Sequence, residues 1–145
     1  MSAVVGLTSR DSLREIRQVG MVDASGDSFA FTGKEADEWK GHVYERDFAC
    51  QGNLLAGEAV ISEMVEAFKS ADGELAKRLM AALLAGDAAG GDRRGRQSEA
   101  ILVVRADPAP GWLSDRYCDL RVDHHPDACN ELRPIFDWWN DHVPR

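Results

Sequence analysis

Gly90-Gly91-Asp92-Arg93-Arg94-Gly95-Arg96-Gln97-Ser98, the glycine-arginine loop, stands between a long helical pattern and the most apolar run of the chain, Ile101-Leu102-Val103-Val104. Its three glycines permit backbone conformations and close approaches that a Cβ would forbid. One acid, three arginines, an amide and a hydroxyl occupy that permissive backbone. On these features alone, a solvated connection between a helix and a strand is the simpler interpretation.

The residues before this loop predict two adjacent amphipathic helices. Apolar side chains form one stripe along residues 60–68, Asp72-Gly73 interrupts the pattern, and a second stripe covers residues 75–86. Two such helices joined by a short turn form a helical hairpin that covers one apolar face. Met64 and Met80 are expected to be core side chains.

The residues after the loop predict two strands and a final helix. Residues 99–105 are apolar on both faces, which is typical of a central strand. Residues 117–123 alternate between apolar and charged side chains and predict a half-buried strand, and the proline-rich residues 107–111 predict a loop. The helix starts at Pro126 and Asp127, and Pro134 is expected to kink or restart it. Five of its side chains are expected to point inward: Cys129, Leu132, Ile135, Phe136 and Trp139.

The N-terminal half predicts a β-hairpin and a long loop, after a helix end or an entry strand at residues 3–7. Residues 16–22 and 28–32 are the two strands, and their turn contains Gly26, which can take a positive φ. Residues 33–47 are polar and irregular and predict a loop, whereas residues 48–53 predict a short strand. His42 is more often structural than catalytic in such a setting, since no acid or cysteine stands at a diagnostic spacing. The order of elements predicts an α+β fold.

Length and composition limit the possible functions. The 145 residues fit one domain, residues 1–145, and 44% hydrophobic with 29% charged residues is ordinary for a soluble globular protein. The net charge of −8 argues against nucleic-acid binding, because neutralising phosphates requires a basic surface. No apolar stretch approaches the roughly 20 residues of a membrane span. Three scattered cysteines form no disulfide framework, which favours a reducing, cytoplasmic setting.

The motifs of several common catalytic and cofactor sites are missing. The run from Gly86 to Gly91 follows a helix and lacks the Gly-Lys-Ser/Thr end of a phosphate loop. No Gly-x-Ser-x-Gly elbow exists, and Ser98 has no local base. Asp123-His124-His125, with Asp127 close behind, could recruit a divalent metal. Neighbouring strand residues point to opposite faces, however, so capping of the following helix is the favoured role, and we expect neither a metal nor a cofactor.

Five segments together resemble a known family. They are Arg17-Gln18-Val19-Gly20-Met21-Val22-Asp23, Phe31-Thr32-Gly33, Gln51-Gly52-Asn53-Leu54-Leu55-Ala56-Gly57, the glycine-arginine loop, and Asp119-Leu120-Arg121-Val122-Asp123 followed by His125-Pro126. In these segments the chain is similar to the Ntn-hydrolase-like family catalogued as domain of unknown function 1028, over residues 14–136. His124 departs from the acidic residue expected at its position, which weakens the case for a shared metal site.

The resemblance implies a four-layer αββα sandwich, in which two antiparallel sheets are covered by helices. It also implies that the chain corresponds to the C-terminal two thirds of the family's domain, because members begin with a further strand and a glycine-rich segment. In Ntn-hydrolases the first residue of that strand is the nucleophile and its own α-amine is the base. Ser2 does not start a matching strand, so the nucleophile is expected outside this chain.

The resemblance also implies site residues in two of the segments. Asn53, after Gly52, is the candidate for stabilising a tetrahedral oxyanion with its side-chain amide. Five others would orient a substrate or hold the loops that do: Gln51, Asp92, Arg96, Gln97 and Ser98. Arg96 could clamp a carboxylate with two hydrogen bonds, and Asp92 could hold Arg96 in place. The alternative for the whole set is a buried polar network that ties the two loops together.

Two functional hypotheses follow. The first is an amidohydrolase that acts on a small C–N-bonded substrate, in which case the chain alone is inactive. The second is a non-catalytic binding or scaffold domain that self-associates, for example as a homodimer joined through an exposed sheet edge. We also expect the isolated chain to associate, because Phe29, Phe31 and the apolar run at residues 101–104 lack full cover.

Overall fold

The computed structural model describes residues 2–106 and 115–143, with side chains from Val4 onward. Within these residues there are four helices and one short 3-10 turn: α1 (Ser2–Thr8), α2 (Glu58–Ser70), α3 (Leu75–Ala88), α4 (Ala128–His142) and the turn at Arg14–Ile16. The same residues form six strands: β1 (Gln18–Val22), β2 (Ser28–Thr32), β3 (Gly41–Glu45), β4 (Phe48–Gly52), β5 (Glu99–Val104) and β6 (Arg116–Val122). The predicted loop at residues 107–111 lies outside the described residues.

The strands pair as three two-stranded antiparallel sheets within the described part of the chain. β1 and β2 form the predicted hairpin. In its turn the Asp23 carboxylate accepts hydrogen bonds from the backbone N–H groups of Ser25 and Asp27, and Gly26 has a φ of 84°. An aspartate that bonds the backbone ahead of it and a glycine at positive φ are what a tight turn requires, so this prediction is confirmed.

One segment predicted as a loop, residues 33–47, contains a strand instead. β3 pairs with β4, and Val43 lies opposite Cys50. None of the β3 side chains is fully buried, so the strand has no alternation between buried and exposed positions that the sequence could reveal. Its stability comes from partners distant in the chain, including a ring contact of Tyr44 with Phe29 at 5.5 Å between centroids.

Helices α2 and α3 form the predicted helical hairpin. α2 packs against β3 and β4, and α3 packs against β5. The two helices approach closely at Gly86, where an added Cβ would lie 2.6 Å from the Met64 Cγ, so a residue with a side chain would force the Met64 side chain to move. Met80 is buried as expected, whereas Met64 is half-buried.

The main hydrophobic core lies between the β5–β6 sheet and helices α3 and α4. Leu132 and Cys129 of α4 are fully buried, and Tyr117 meets Trp139 edge-on with 5.1 Å between ring centroids. α4 begins directly after Asp127 and continues through Pro134, so the helix is not restarted there. This core supplies the rigid support on which the glycine-arginine loop is mounted.

Two predictions of burial are wrong. β5 is not a central strand, because it pairs with β6 alone among the described residues and the helices cover one of its faces. Leu102 and Val104 on its other face are therefore 53% and 58% exposed. Ile135 is 41% exposed, since it lies at the margin of the buried stripe of α4 rather than within it.

The observed fold is a mixed α/β arrangement of small antiparallel sheets and helices. Residues 3–7, for which the sequence allowed either a helix end or a strand, belong to helix α1. The Val4 side chain of this helix is buried. Across residues 2–106 and 115–143, no helix has the length and apolar content needed to cross a membrane.

Replacing Leu132 by alanine is expected to lower the free energy of unfolding by about 2–5 kcal/mol, because removing a fully buried leucine leaves a cavity. The control is Ile135→Ala on the same helix, which should cost less than about 1 kcal/mol because the side chain is partly exposed. Urea denaturation of both variants beside the wild type measures the difference. Equal losses would mean that the outer side of α4 is also buried.

Candidate functional site

The glycine-arginine loop forms one wall of an open pocket of about 540 Å³, the loop pocket. The pocket has an apolar part from the segment before α2 and from helices α2 and α3: Leu55, Val60, Met64 and Leu83. Its polar lining comes mostly from the loop and its flanks: Asp87, Asp92, Arg94, Arg96, Gln97, Ser98, Glu99 and His124. Four of the six site residues expected from the sequence therefore lie together here: Asp92, Arg96, Gln97 and Ser98.

The glycines of the loop are required by its conformation. Gly90, Gly91 and Gly95 have φ angles of 114°, 54° and 102°, in the left-handed region that residues with a Cβ rarely adopt. A Cβ added at Gly90 would also lie 2.8 Å from the Cβ of Ala56. The loop is thus a defined structure rather than a loose connection between a helix and a strand.

Backbone hydrogen bonds join this loop to the segment before α2. The Arg93 N–H donates to the Leu54 carbonyl at 2.8 Å, and the Ala56 N–H donates to the Gly91 carbonyl at 2.9 Å. These bonds bracket an isolated antiparallel bridge between Leu55 and Asp92. Two of the five segments that carry the resemblance to the family are therefore neighbours in space, and main-chain groups rather than a buried side-chain network tie them together.

Asp92 holds Arg94, not Arg96 as expected from the sequence. The Asp92 carboxylate accepts the Arg94 backbone N–H at 2.8 Å and the Arg94 guanidinium, with 2.6 Å between Oδ2 and Nη2. These bonds from Arg94 hold the pKa of the Asp92 carboxyl below its usual value. A spacing of two residues lets one carboxylate bond both groups of Arg94, which leaves Arg96 to find another partner.

Arg96 binds carboxylates that lie at the ends of two helices. Its guanidinium donates to Asp87 in the last turn of α3 through Nε and Nη2, the latter at 2.9 Å from Oδ2. Its Nε also lies 3.5 Å from Oδ1 of Asp127, the residue that precedes α4. The bidentate geometry suits a guanidinium, and it fastens the loop to the end of one helix and the start of the next.

Four polar lining residues were not among those expected from the sequence: Asp87, Arg94, Glu99 and His124. Glu99 is the first residue of β5 and is half-buried. Burial raises the pKa of its carboxyl, the Asp87 carboxylate raises it further, and Arg96 acts in the opposite direction. A charged residue that opens an otherwise apolar strand is the one signal in the sequence that could have pointed to Glu99.

Gln51 and Asn53 do not line the loop pocket. The Asn53 side-chain amide donates to Oε1 of Gln18 at 3.0 Å, and Gln18 donates in turn to the Gly52 carbonyl at 2.7 Å. The Gln51 side chain lies over Gly20, where an added Cβ would collide with it. Both residues therefore contact the β1–β2 hairpin rather than the glycine-arginine loop.

His42 belongs to the same polar contacts. Its Nδ1 lies 2.7 Å from the Thr32 hydroxyl, and that hydroxyl accepts a hydrogen bond from Gln18 at 3.0 Å. Gln18 also donates to the Gly41 carbonyl at 3.1 Å. These bonds hold the β1–β2 hairpin to the β3–β4 hairpin, which gives His42 the structural role expected from the sequence.

Two cysteines and His125 have surroundings that are typical of structural side chains. Burial raises the pKa of Cys118 and of Cys129 to about 11, so these thiols stay protonated near neutral pH. His125 accepts the Asp127 backbone N–H on its Nδ1 at 3.1 Å, which places it at the start of α4. Among residues 2–106 and 115–143, no group of three His, Cys, Asp or Glu side chains is placed to hold a metal ion.

Comparison with known proteins identifies the family. A family model described as a family of unknown function (DUF1028) matches residues 1–132. The crystal structure of protein SPO2555 from Silicibacter pomeroyi, of the same family model, is similar to this chain with a TM-score of 0.81 and 36% sequence identity. The similarity covers 96% of this chain and 57% of that chain, so this chain spans little more than half of that protein's length. No curated protein matches. The chain therefore belongs to the DUF1028 family, whose function is unknown.

Proposed function

We propose that this chain is the substrate-binding part of an Ntn-hydrolase-like amidohydrolase that acts on a small C–N-bonded substrate. The observation that carries the proposal is the loop pocket, which brings Asp92, Arg96, Gln97 and Ser98 into one concave site. They are four of the residues that the resemblance to the family implies for orienting a substrate. A volume of about 540 Å³ lies in the range of pockets that hold small molecules.

Some polar side chains of the loop pocket are held by ion pairs, and others are exposed to solvent. Arg94 and Arg96 are held by carboxylates and define the shape of the wall. Gln97 and Ser98 are exposed, so their side chains can donate to and accept from a substrate amide. His124 lines the same pocket and is exposed, and its imidazole would carry a proton to the departing amine.

We place the nucleophile outside residues 1–145, as in Ntn-hydrolases whose first residue attacks the substrate. Burial raises the pKa of Cys118 and of Cys129 to about 11, which makes these two thiols weak nucleophiles. The Silicibacter pomeroyi chain has residues beyond the region that matches. This chain would then correspond to the C-terminal two thirds of the family's domain.

The proposal includes a four-layer αββα sandwich and a single domain over residues 1–145. Its support is the way the elements pack: the two N-terminal hairpins lie against each other, α2 covers β3 and β4, and α4 covers β5 and β6. We further propose a cytoplasmic protein that uses no metal or cofactor. The net charge of −8 supports a small-molecule substrate over a nucleic acid.

Replacing Arg96 by alanine is expected to slow hydrolysis by about tenfold to a hundredfold, because the loop loses its attachment to α3 and the pocket wall shifts. The measurement is ammonia release from a panel of primary carboxamides by the protein purified from its natural source. Arg93→Ala is the matched control: Arg93 stands in the same loop, but its side chain does not line the pocket. Equal rates for the two variants would exclude the loop pocket as the substrate site.

Replacing Asn53 by alanine distinguishes a catalytic role from a structural role for this residue of the segment 51–57. As an oxyanion donor, Asn53 would account for about a hundredfold in kcat. The hydrogen bond from its side-chain amide to Gln18 contributes only about 1 kcal/mol to folding, so the Tm should change little. A fall in kcat with the Tm retained would support the oxyanion role, even though Asn53 lies outside the lining of the loop pocket. Parallel losses of activity and Tm would assign Asn53 to the contacts between the hairpins instead.

The second candidate is a non-catalytic domain that binds a second copy of itself, and the outer face of β5 favours it. Leu102 and Val104 are more than half exposed there, on a strand that pairs with β6 alone among the described residues. Phe29 and Phe31 do not contribute as expected, because Tyr44 and the Arg14 guanidinium lie against their rings. The self-association proposal therefore rests on β5, whose free edge would pair with the same edge of the second copy.

The 145-residue chain is expected to sediment as a species heavier than 16.0 kDa, and Leu102→Asp is expected to return it to monomer by placing a charge on the β5 face. Leu13→Asp is the matched control, because Leu13 is 54% exposed but lies far from β5 in the chain. Sedimentation velocity distinguishes the three proteins. A sharp 16.0-kDa peak for the wild type would end the self-association proposal.

A further inference from the structure

We propose that Glu99 recognises a cationic nitrogen, an ammonium or a guanidinium, on the small molecule that occupies the loop pocket. The inference rests on the proposed function, because it names the class of substrate that the same pocket would take. It follows from the distribution of charge in the pocket, from the position of Glu99 and from the apolar part of the lining.

The charges that line the loop pocket do not balance. Three carboxylates, Asp87, Asp92 and Glu99, face two guanidiniums, Arg94 and Arg96. Arg94 is paired with Asp92, and Arg96 is paired with Asp87 and lies near Asp127. Glu99 forms no ion pair and no side-chain hydrogen bond with any residue of the described ranges. Its carboxylate is therefore the negative charge of the pocket that is left for a ligand.

The position of Glu99 makes a cationic partner favourable. It opens β5 opposite Val122 and is half-buried, so its carboxylate has lost part of its water. A desolvated carboxylate gains most from a charged donor. Burial raises the pKa of Glu99, which is the expected effect of this loss of water. Arg96 opposes that rise, yet its guanidinium is already bonded to Asp87.

The rest of the lining determines the shape of the ligand. Leu55, Val60, Met64 and Leu83 form an apolar part of the same pocket. A ligand that filled both parts would join a short apolar body to a basic group. In the terms of the proposed function, the substrate is a small amide that carries an amine or a guanidine.

Three probes of similar size and different charge test the assignment: benzylammonium, benzyl alcohol and benzoate. Their dissociation constants are measured by NMR from the amide shifts of Gly91 and Gly95 in the 145-residue chain. We expect benzylammonium to bind about tenfold tighter than either of the others, as for a hydrogen bond to a charged group. In Glu99→Gln this preference should disappear.

The control for overall charge is Glu63→Gln. Glu63 is exposed on α2 and does not line the loop pocket, so the variant changes the net charge by the same amount at another place. It should keep the tenfold preference for benzylammonium. Loss of the preference in both variants would assign it to the net charge of the protein and overturn the role of Glu99.

Thermal stability gives an independent readout of the Glu99 side chain. The charged and titratable groups that face it are Asp87 at the end of α3, Arg96 in the loop and Cys129 in α4. Because its pKa is raised in the folded protein, the ionised carboxylate disfavours folding above its usual pKa. Glu99→Gln should therefore melt at the same or a higher temperature at pH 7, and like the wild type at pH 3. A lower Tm at pH 7 would make Glu99 a structural residue and overturn the assignment.

The outcomes separate this inference from the proposed function. Tighter binding of benzyl alcohol or benzoate would overturn the role of Glu99 and leave the loop pocket as a binding site. Absence of any shift at Gly91 and Gly95 would overturn both proposals. Binding of benzylammonium through Glu99 without hydrolysis of any carboxamide, including amides with a basic group, would support the inference and reject the amidohydrolase.

Discussion

The main-chain hydrogen bonds between residues 54–56 and 91–93 hold the candidate site together. On one side of this junction lie the two N-terminal hairpins, and on the other lie the β5–β6 sheet and α4. Peptide groups make these bonds, so the junction depends on the path of the chain more than on particular side chains. That path in turn requires the left-handed conformations of Gly90 and Gly91, which is why glycines stand there.

The ion pairs of the glycine-arginine loop fix the positions of its arginine side chains more than they stabilise the folded protein. The pairs Arg94–Asp92 and Arg96–Asp87 are partly open to water, and exposed ion pairs contribute little to folding. Their bidentate form nevertheless restricts where each guanidinium can lie. Each arginine has its own acid, and this pairing leaves one carboxylate of the lining, that of Glu99, without a protein partner among the described residues.

Local chemistry explains which features the sequence predicts well. The β1–β2 turn depends on Asp23 and Gly26 within five residues, and the helical hairpin depends on a repeat of apolar side chains, so both can be read from adjacent residues. Strand β3 is stabilised by pairing with β4 and by the ring of Phe29, which contacts Tyr44. The exposure of Leu102 depends on which face of β5 the helices cover. Contacts between distant parts of the chain leave no local pattern in the sequence. The sequence therefore does not predict strand β3 or the exposure of Leu102.

The candidate site shows the same division. The glycines and arginines of the loop distinguish it in the sequence, and the structure brings four of the expected residues into one pocket. The partner of Arg96 could not be predicted, because Asp87 and Asp92 are both near in the chain and only the folded path decides between them. Asn53 and Gln51 were expected from the resemblance to the family, and the structure places them against another hairpin.

The close approach of α2 and α3 has a consequence for oxidative chemistry. The Met64 sulfur lies where a Cβ on Gly86 would be 2.8 Å away, and Met64 also lines the loop pocket. Conversion of this thioether to a sulfoxide would add a polar oxygen to a contact that has no room for a methyl group. Peroxide damage at Met64 would therefore alter the contact between the two helices and the lining of the pocket together.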